Sequence, residues 1–276
     1  KKREEIREIL LDVVRNYDEK TAVEDYPDGV FVEFSKNYGS NCGITVCGQY
    51  DEKNRFHIEY YFPFFRGTGI TTQEQVTVER HADREAFSGA CDDLRIGITL
   101  IFYLQNGTEY MLEKQKKVPG NRSTTLSGLA GEGRILLPVL KDKEAVKVEK
   151  ETSTNRSNLI AAARNGDEEA MESLTMEDMD TYSMISHRIV HEDILSIVDS
   201  YFMPCGIQCD QYSVLGEILE FHTFENIATG EELLQMKIDC NNIQFDVCIN
   251  QKDLLGEPAV GRRFRGDIWL QGQIHF

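Results

Sequence analysis

Between Asp246 and Phe276, short apolar runs are cut at close intervals by Gly256, Pro258, Gly261 and Gly266, and this punctuation constrains the fold more than any other feature of the chain. Runs this short, bounded by turn formers, read as strands rather than helices. The same spacing extends upstream through Tyr212–Phe224, Leu233–Asp239 and Ile243–Asn250, with Thr229-Gly230-Glu231 and Cys240-Asn241-Asn242 as turns. Four or five strands so arranged predict a small β-barrel of the oligonucleotide/oligosaccharide-binding (OB-like) kind, or another compact β-roll, over residues 207–276. Trp269 is the only Trp and alternates with Ile268 and Leu270, so it faces a barrel interior or an inter-domain seam.

The first half mixes both periods. Ile6, Ile9, Leu10, Val13, Val14 and Tyr17 recur at helical spacing and predict an amphipathic helix over 3–17. Residues 30–34 alternate as a strand. Ile44–Tyr50 and Arg55–Phe62 predict a hairpin around Asp51-Glu52-Lys53-Asn54, with Phe56, Ile58, Tyr60 and Phe62 on one face. A strand is expected over 75–79. Asp83 is placed to cap a helix reaching Leu94, with Phe87, Cys91 and Leu94 on one side. Ile98–Leu104 reads as a buried strand, or alternatively a buried helix, and a short helix follows around Tyr110. A second hairpin is expected from Thr124–Leu129 and Arg134–Val139 around Gly131-Glu132-Gly133. Residues 141–157 are charged and polar, the best linker in the chain. Beyond them, 158–203 reads as helical. Its Ala-Ala-Ala-Arg-Asn-Gly-Asp-Glu-Glu-Ala run looks like half an ankyrin repeat, but one copy cannot make a solenoid. The expectation is an α+β protein: an antiparallel sheet with packed helices over 1–140, a linker, a short helical segment, and the barrel-like unit.

Charge narrows the function. Residues 1–150 carry 22 Lys/Arg against 25 Asp/Glu, a net of −3, whereas 151–276 carry 8 against 22, a net of −14. Such a field disfavours nucleic acid and anionic membranes as partners. No apolar run approaches the ~18 residues that would span a membrane, and no signal peptide is visible. The chain begins at Lys1 without Met, so native residues are expected to precede it. Seven Cys, without a CxxC pair, predict reduced thiols and a cytoplasmic location.

Four constellations carry potential chemistry. His57, Arg66, Arg80, His81 and Asp83 gather a base, cations and a carboxylate near strand ends, where sites are common; the alternative is a charged helix entry. Arg66-Gly67-Thr68-Gly69 resembles a backbone cradle for an anion, but lacks the Lys of a nucleotide loop and is equally a connection. His187 and His191, one helical turn apart, with Cys205 and Cys209 form a conceivable zinc set, against two ordinary histidines and two packed thiols; the spacing matches no standard module, so no metal or cofactor is expected. Arg262, Arg263, Phe264 and Arg265 form a basic, aromatic-bearing hairpin. Such a hairpin can grip single-stranded nucleic acid by charge and stacking, or balance the acidic surface around it through internal salt bridges.

Taken together, Glu59-Tyr60-Tyr61-Phe62-Pro63, Arg66-Gly67-Thr68-Gly69, Glu79-Arg80-His81-Ala82-Asp83, Phe102-Tyr103-Leu104-Gln105-Asn106, Asp246-Val247-Cys248-Ile249-Asn250 and Gly261-Arg262-Arg263-Phe264 resemble a family of unknown function from Clostridia-type gut bacteria. The resemblance covers nearly the whole chain. It implies a cytoplasmic bacterial protein and brings no activity or site residues. With no complete catalytic, nucleotide or metal motif, the leading expectation is a non-catalytic binding or adaptor protein with a protein partner. The alternatives are an enzyme using the Arg66–Asp83 region and a single-strand binder using Arg262–Arg265.

Overall fold

The computed structural model describes residues 3–26, 29–80, 86–93, 95–116, 123–139, 155–156, 158–163, 165–189 and 193–276. Helix α1 (Arg3–Arg15) carries Glu4 and Glu5 in its first turn and Arg15 in its last, the charge order a helix dipole favours. It buries Leu10 and Val13 against Val32, Phe34 and Val46 of an antiparallel sheet. That sheet is built in chain order from β1 (Glu19–Tyr26), β2 (Gly29–Gly39), β3 (Cys42–Tyr50) and β4 (Phe56–Phe65). Its far face presents Phe31, Cys47, Tyr60, Phe62 and Phe64 to a second, larger sheet.

The single apolar face expected for residues 56–62 is divided. Cys47 lies opposite Tyr60 and Gly48 opposite Ile58, so Glu59 is an extra residue in β4. A bulge of this kind flips the side-chain alternation. Phe56 therefore joins the α1 side, beside Phe34 at 5.1 Å between ring centroids. Tyr60 and Phe62 face the other sheet, and Ile58 is left exposed.

The ten-stranded sheet contains β5 (Val76–Arg80), β6 (Phe87–Asp92), β7 (Thr99–Leu104), β8 (Ser123–Leu136), β9 (Tyr201–Pro204), β10 (Gln211–Glu225), β11 (Glu232–Cys240), β12 (Ile243–Asn250), β13 (Leu254–Leu255) and β14 (Arg263–His275). The order runs β13-β8-β12-β11-β10-β14-β7-β6-β5, with β9 also on β10 and β8 also on β14. Pairings from β8 through β12, β11, β10 and β14 thus return to β8. Helices α2 (Gly107–Gln115), α3 (Glu168–Ile189) and α4 (Ile194–Ile197) lie between strands in the sequence. The α+β character is as expected. The sheet draws β5 to β8 from before residues 141–157 and β9 to β14 from after them, so its hydrogen bonds cross the division placed there. Of that segment, only residues 155–156 are described.

Three local expectations are corrected. The helix expected over 83–94 is strand β6 where it is described. Phe87, Gly89 and Cys91 share its buried face, and Gly89 leaves room for the Phe102 ring, which a Cβ there would meet at 2.2 Å. The hairpin expected over 124–139 is one continuous strand, β8. Ala130 pairs with Ile268 and Glu132 with Asp267, so Gly131 is a bulge residue and not a turn. Helix does not run on to Phe202: α3 ends at Ile189, α4 is a single turn, and Tyr201–Pro204 pairs with β10. The Asn241-Asn242 turn is as read, with both residues at positive φ (53° and 64°), the two-residue geometry that suits twisted hairpins.

The two sheets are joined at the end of β4. Gln271 of β14 accepts the Phe65 N–H at 3.1 Å and donates to the Pro63 carbonyl at 2.8 Å. The Phe65 carbonyl accepts from Gln105 (2.8 Å) and from Ser127 Oγ (2.5 Å). Trp269 sits at the same seam, 5.0 Å from the Tyr103 ring, which in turn lies 4.7 Å from Phe62. Its indole N–H donates to Asp210 at 2.7 Å.

Candidate functional site

Beside this joint the sheets part into a cleft of about 280 Å³. The small sheet lines it with Ile44 of β3 and Pro63 and Phe64 of β4, the large sheet with Leu129 of β8, Leu233 of β11 and Ile249 of β12, and the lining includes Cys42 and Cys248. The end of the cleft is held by the β10–β11 turn, where the Ile227 N–H donates to the Tyr38 carbonyl at 2.8 Å. The polar groups at the margin are already engaged. Asn250 donates to Glu231 at 3.1 Å and accepts from the Lys252 N–H, and Lys252 pairs with Glu231. Asn226 Oδ1 accepts from the Ala228 N–H. The Lys252 ammonium holds the Glu231 carboxyl below its ordinary range, and burial pushes the Cys42 thiol up to about 11 and the Cys248 thiol to about 12. Such a site offers an apolar lining and two thiols that stay protonated at neutral pH, with its marginal charges already paired. It suits a small apolar group.

A second unusual group lies on the inner face of the small sheet. Thr21, Glu33, Cys47 and Tyr60 form one row across β1 to β4. Glu33 is buried beneath the first turn of α2, and burial raises its pKa to about 7 against the pull of Thr108. The Cys47 thiol stands 4.0 Å away. Thr108 and the Cys47 thiol are the neighbours of Glu33 in the protein.

The residues singled out from the sequence do not converge where they are described. His57 is exposed and bonds Asp51 at 3.0 Å. Arg66 makes two bonds of 2.7 Å to Glu19, and its guanidinium lies 4.6 Å from the Phe64 ring centre. These two residues flank opposite ends of β4, about 30 Å of extended chain apart. Arg80 closes β5 near Glu59, whose carboxyl it lowers against the larger effect of burial. His81 and Asp83 lie outside the described residues. The Arg66–Gly69 loop does cradle an anion, but the chain's own: the Thr68 N–H and hydroxyl both donate to Asp246 Oδ2, at 2.5 and 2.7 Å, and Asp246 is buried.

The His187 side chain and His191 also lie outside the described residues, while Cys205 is half-buried and Cys209 exposed. Among the described residues no group of three His, Cys, Asp or Glu is placed to hold a metal. In the basic hairpin, Phe264 is fully buried and has no face for a base to stack on. Arg263 is 5% exposed and donates to three carbonyls, those of Leu137, Val198 and Leu195 (3.0, 2.7 and 2.8 Å); burial lowers its pKa. Arg262 bonds the Glu257 carbonyl and Arg265 the Tyr201 hydroxyl. Carbonyls and a phenol, not the carboxylates of an acidic surface, are the partners of these arginines. The cleft was not foreseen, because strand alternation marks Ile44, Leu129 and Ile249 as buried without saying that their neighbours stop short.

A family model described as a domain of unknown function, E. rectale gene description (DUF3881), matches residues 1–272. The chain belongs to this family. The DUF3881 description states no activity, in keeping with the uncharacterised gut-bacterial family that the sequence resembles. No curated protein and no solved structure gives a significant match. No helix among the described residues is long and apolar enough to cross a membrane.

Proposed function

We propose that this DUF3881 protein is a non-catalytic, cytoplasmic binding or adaptor protein, and that the cleft between its sheets receives an apolar side chain of a protein partner. The observation that carries the reading is the cleft itself: apolar walls from both sheets, with every marginal asparagine and charge already bonded within the chain. Net charge specifies the rest of the partner. Residues 151–276, which supply β11 and β12, carry −14, so the anchor is flanked by basic residues. The returning pairings of β8, β12, β11, β10 and β14 favour an OB-like barrel as the frame on which this wall is built. Seven free thiols favour the cytoplasm.

Selection from a random displayed-peptide library tests the reading. Binders are expected to share one large apolar residue flanked by Lys or Arg, and to lose affinity at least tenfold when Ala130→Trp fills the cleft. Binders without that pattern, or binding unchanged by Ala130→Trp in a variant that keeps the native circular dichroism, would overturn it.

A further inference from the structure

We propose that Cys42 and Cys248 form an oxidation-sensitive thiol pair, which a small aliphatic disulfide entering the cleft converts into a covalent bond between β3 and β12. The two cysteines come from different sheets and lie 206 positions apart in the chain, yet both line the cleft and both belong to one buried cluster with Phe65. The backbone accounts for the juxtaposition. Cys42 pairs with Phe65 across β3 and β4. The Phe65 carbonyl is held by Ser127 Oγ of β8 at 2.5 Å. Two residues along β8, Leu129 pairs with Cys248 of β12. The thiols are within electrostatic reach, since charge at Cys42 adds to the burial that raises Cys248.

The other buried thiols differ. Cys240 donates to the Tyr201 and Leu215 carbonyls, and Cys47 faces Glu33. Among the described residues Cys42 and Cys248 make no hydrogen bond that a new S–S bond would have to break.

Cys42 is the entry point, being 7% exposed against 3% for Cys248. Its thiolate attacks one sulfur of the small disulfide, and the other sulfur leaves as a thiolate that takes up a proton. Cys248, deprotonated in turn, attacks the Cys42 sulfur of the mixed disulfide and expels the second small thiol. Two protein thiols are oxidised and one disulfide is reduced to two thiols. Because both protein thiols titrate far above neutrality, the reaction is slow at pH 7 and quickens about tenfold per pH unit toward pH 9. The product would tie the two walls together and close the cleft. This holds whether or not a protein partner uses the cleft, so the two ideas fail separately.

The experiment uses the full chain with the accessible thiols removed by Cys205→Ser and Cys209→Ser, incubated with bis(2-hydroxyethyl) disulfide at pH 7, 8 and 9. The expected product has lost two hydrogen atoms, yields a non-reduced peptide joining Cys42 to Cys248, and forms at the stated pH dependence. Recovery of mixed disulfides alone, of unreacted thiols after a day at pH 9, or of a cross-link between other cysteines would overturn the proposal. Dithiothreitol should restore the original mass, which separates the bond from irreversible oxidation.

Discussion

Gln271 stands in for a strand at the edge of β4: its side-chain carbonyl accepts the Phe65 N–H and its amide donates to the Pro63 carbonyl. An exposed strand edge is a site for unwanted pairing. Here one side chain satisfies that edge, and it also welds the small sheet to the large one. Gln271 is itself wholly buried. Gln271→Leu keeps its bulk but strands the Phe65 N–H and leaves the Pro63 carbonyl without its donor. The expected loss is about 3 kcal/mol, read from urea denaturation, with a larger loss than for Gln105→Leu.

Glu33 makes stability depend on pH in an unusual direction. Its carboxyl has a pKa of about 7 in the folded chain against 4.5 for the free group. Below pH 4.5 both states hold the proton and there is no penalty. Between pH 4.5 and 7 the unfolded chain releases its proton while the folded chain retains it, so stability falls, by about 3 kcal/mol in all. Glu33→Gln removes this penalty, because its amide does not ionise. The variant is expected to gain relative to the parent at pH 8 and to match it at pH 4, as measured by chemical denaturation across that range.

Arg263 fastens α4 and the end of β8 to β14 through three carbonyls. Arg263→Met fills similar space without donors and should cost about 2–4 kcal/mol. Hydrogen exchange is expected to rise at residues 195–198 in particular. Arg263→Lys, with a single compact ammonium, recovers less than half of the loss.

Gly89 and Phe102 are fitted to one another, the ring occupying the volume a side chain on residue 89 would need. Gly89→Ala is expected to cost about 2 kcal/mol by overpacking. Adding Phe102→Leu should relieve part of that cost, so the double variant is less destabilised than the sum of the single ones. Thermal melts of all four members of the cycle decide it.

Much of this architecture was legible wherever a side chain reports its own period. α1 announces itself through Ile6, Leu10 and Val13, the β3–β4 hairpin through its alternation, and the last strands through their turns. Two of the differences turn on residues without a telling side chain, whereas the divided face of β4 turns on the Glu59 bulge. Gly89 concealed the alternation of β6 and let Phe87 and Cys91 imitate a helix face, and Gly131 passed for a turn when it is a bulge. The same applies to the site. The Arg66–Gly69 loop reads from the sequence as an anion cradle or as a plain connection, and only the tertiary fold brings Asp246 to the Thr68 N–H and hydroxyl. Arg263 reads as surface charge until Leu137, Val198 and Leu195 are brought around it. The cleft depends on where two sheets diverge, which no local pattern encodes.

The placement of β14 has a consequence for biosynthesis. Residues 263–275 lie between β10 and β8 and also touch β7, yet they are translated after every other strand of the sheet. The four-stranded sheet pairs only neighbours in sequence, so it can assemble while the rest of the chain is still being made. The large sheet has no such option. β7 and β8 must wait through more than a hundred further residues for the strand that unites them with β10, leaving open edges on the nascent chain. The interval between the synthesis of residue 136 and that of residue 275 is therefore a period in which the large sheet is exposed to misassembly.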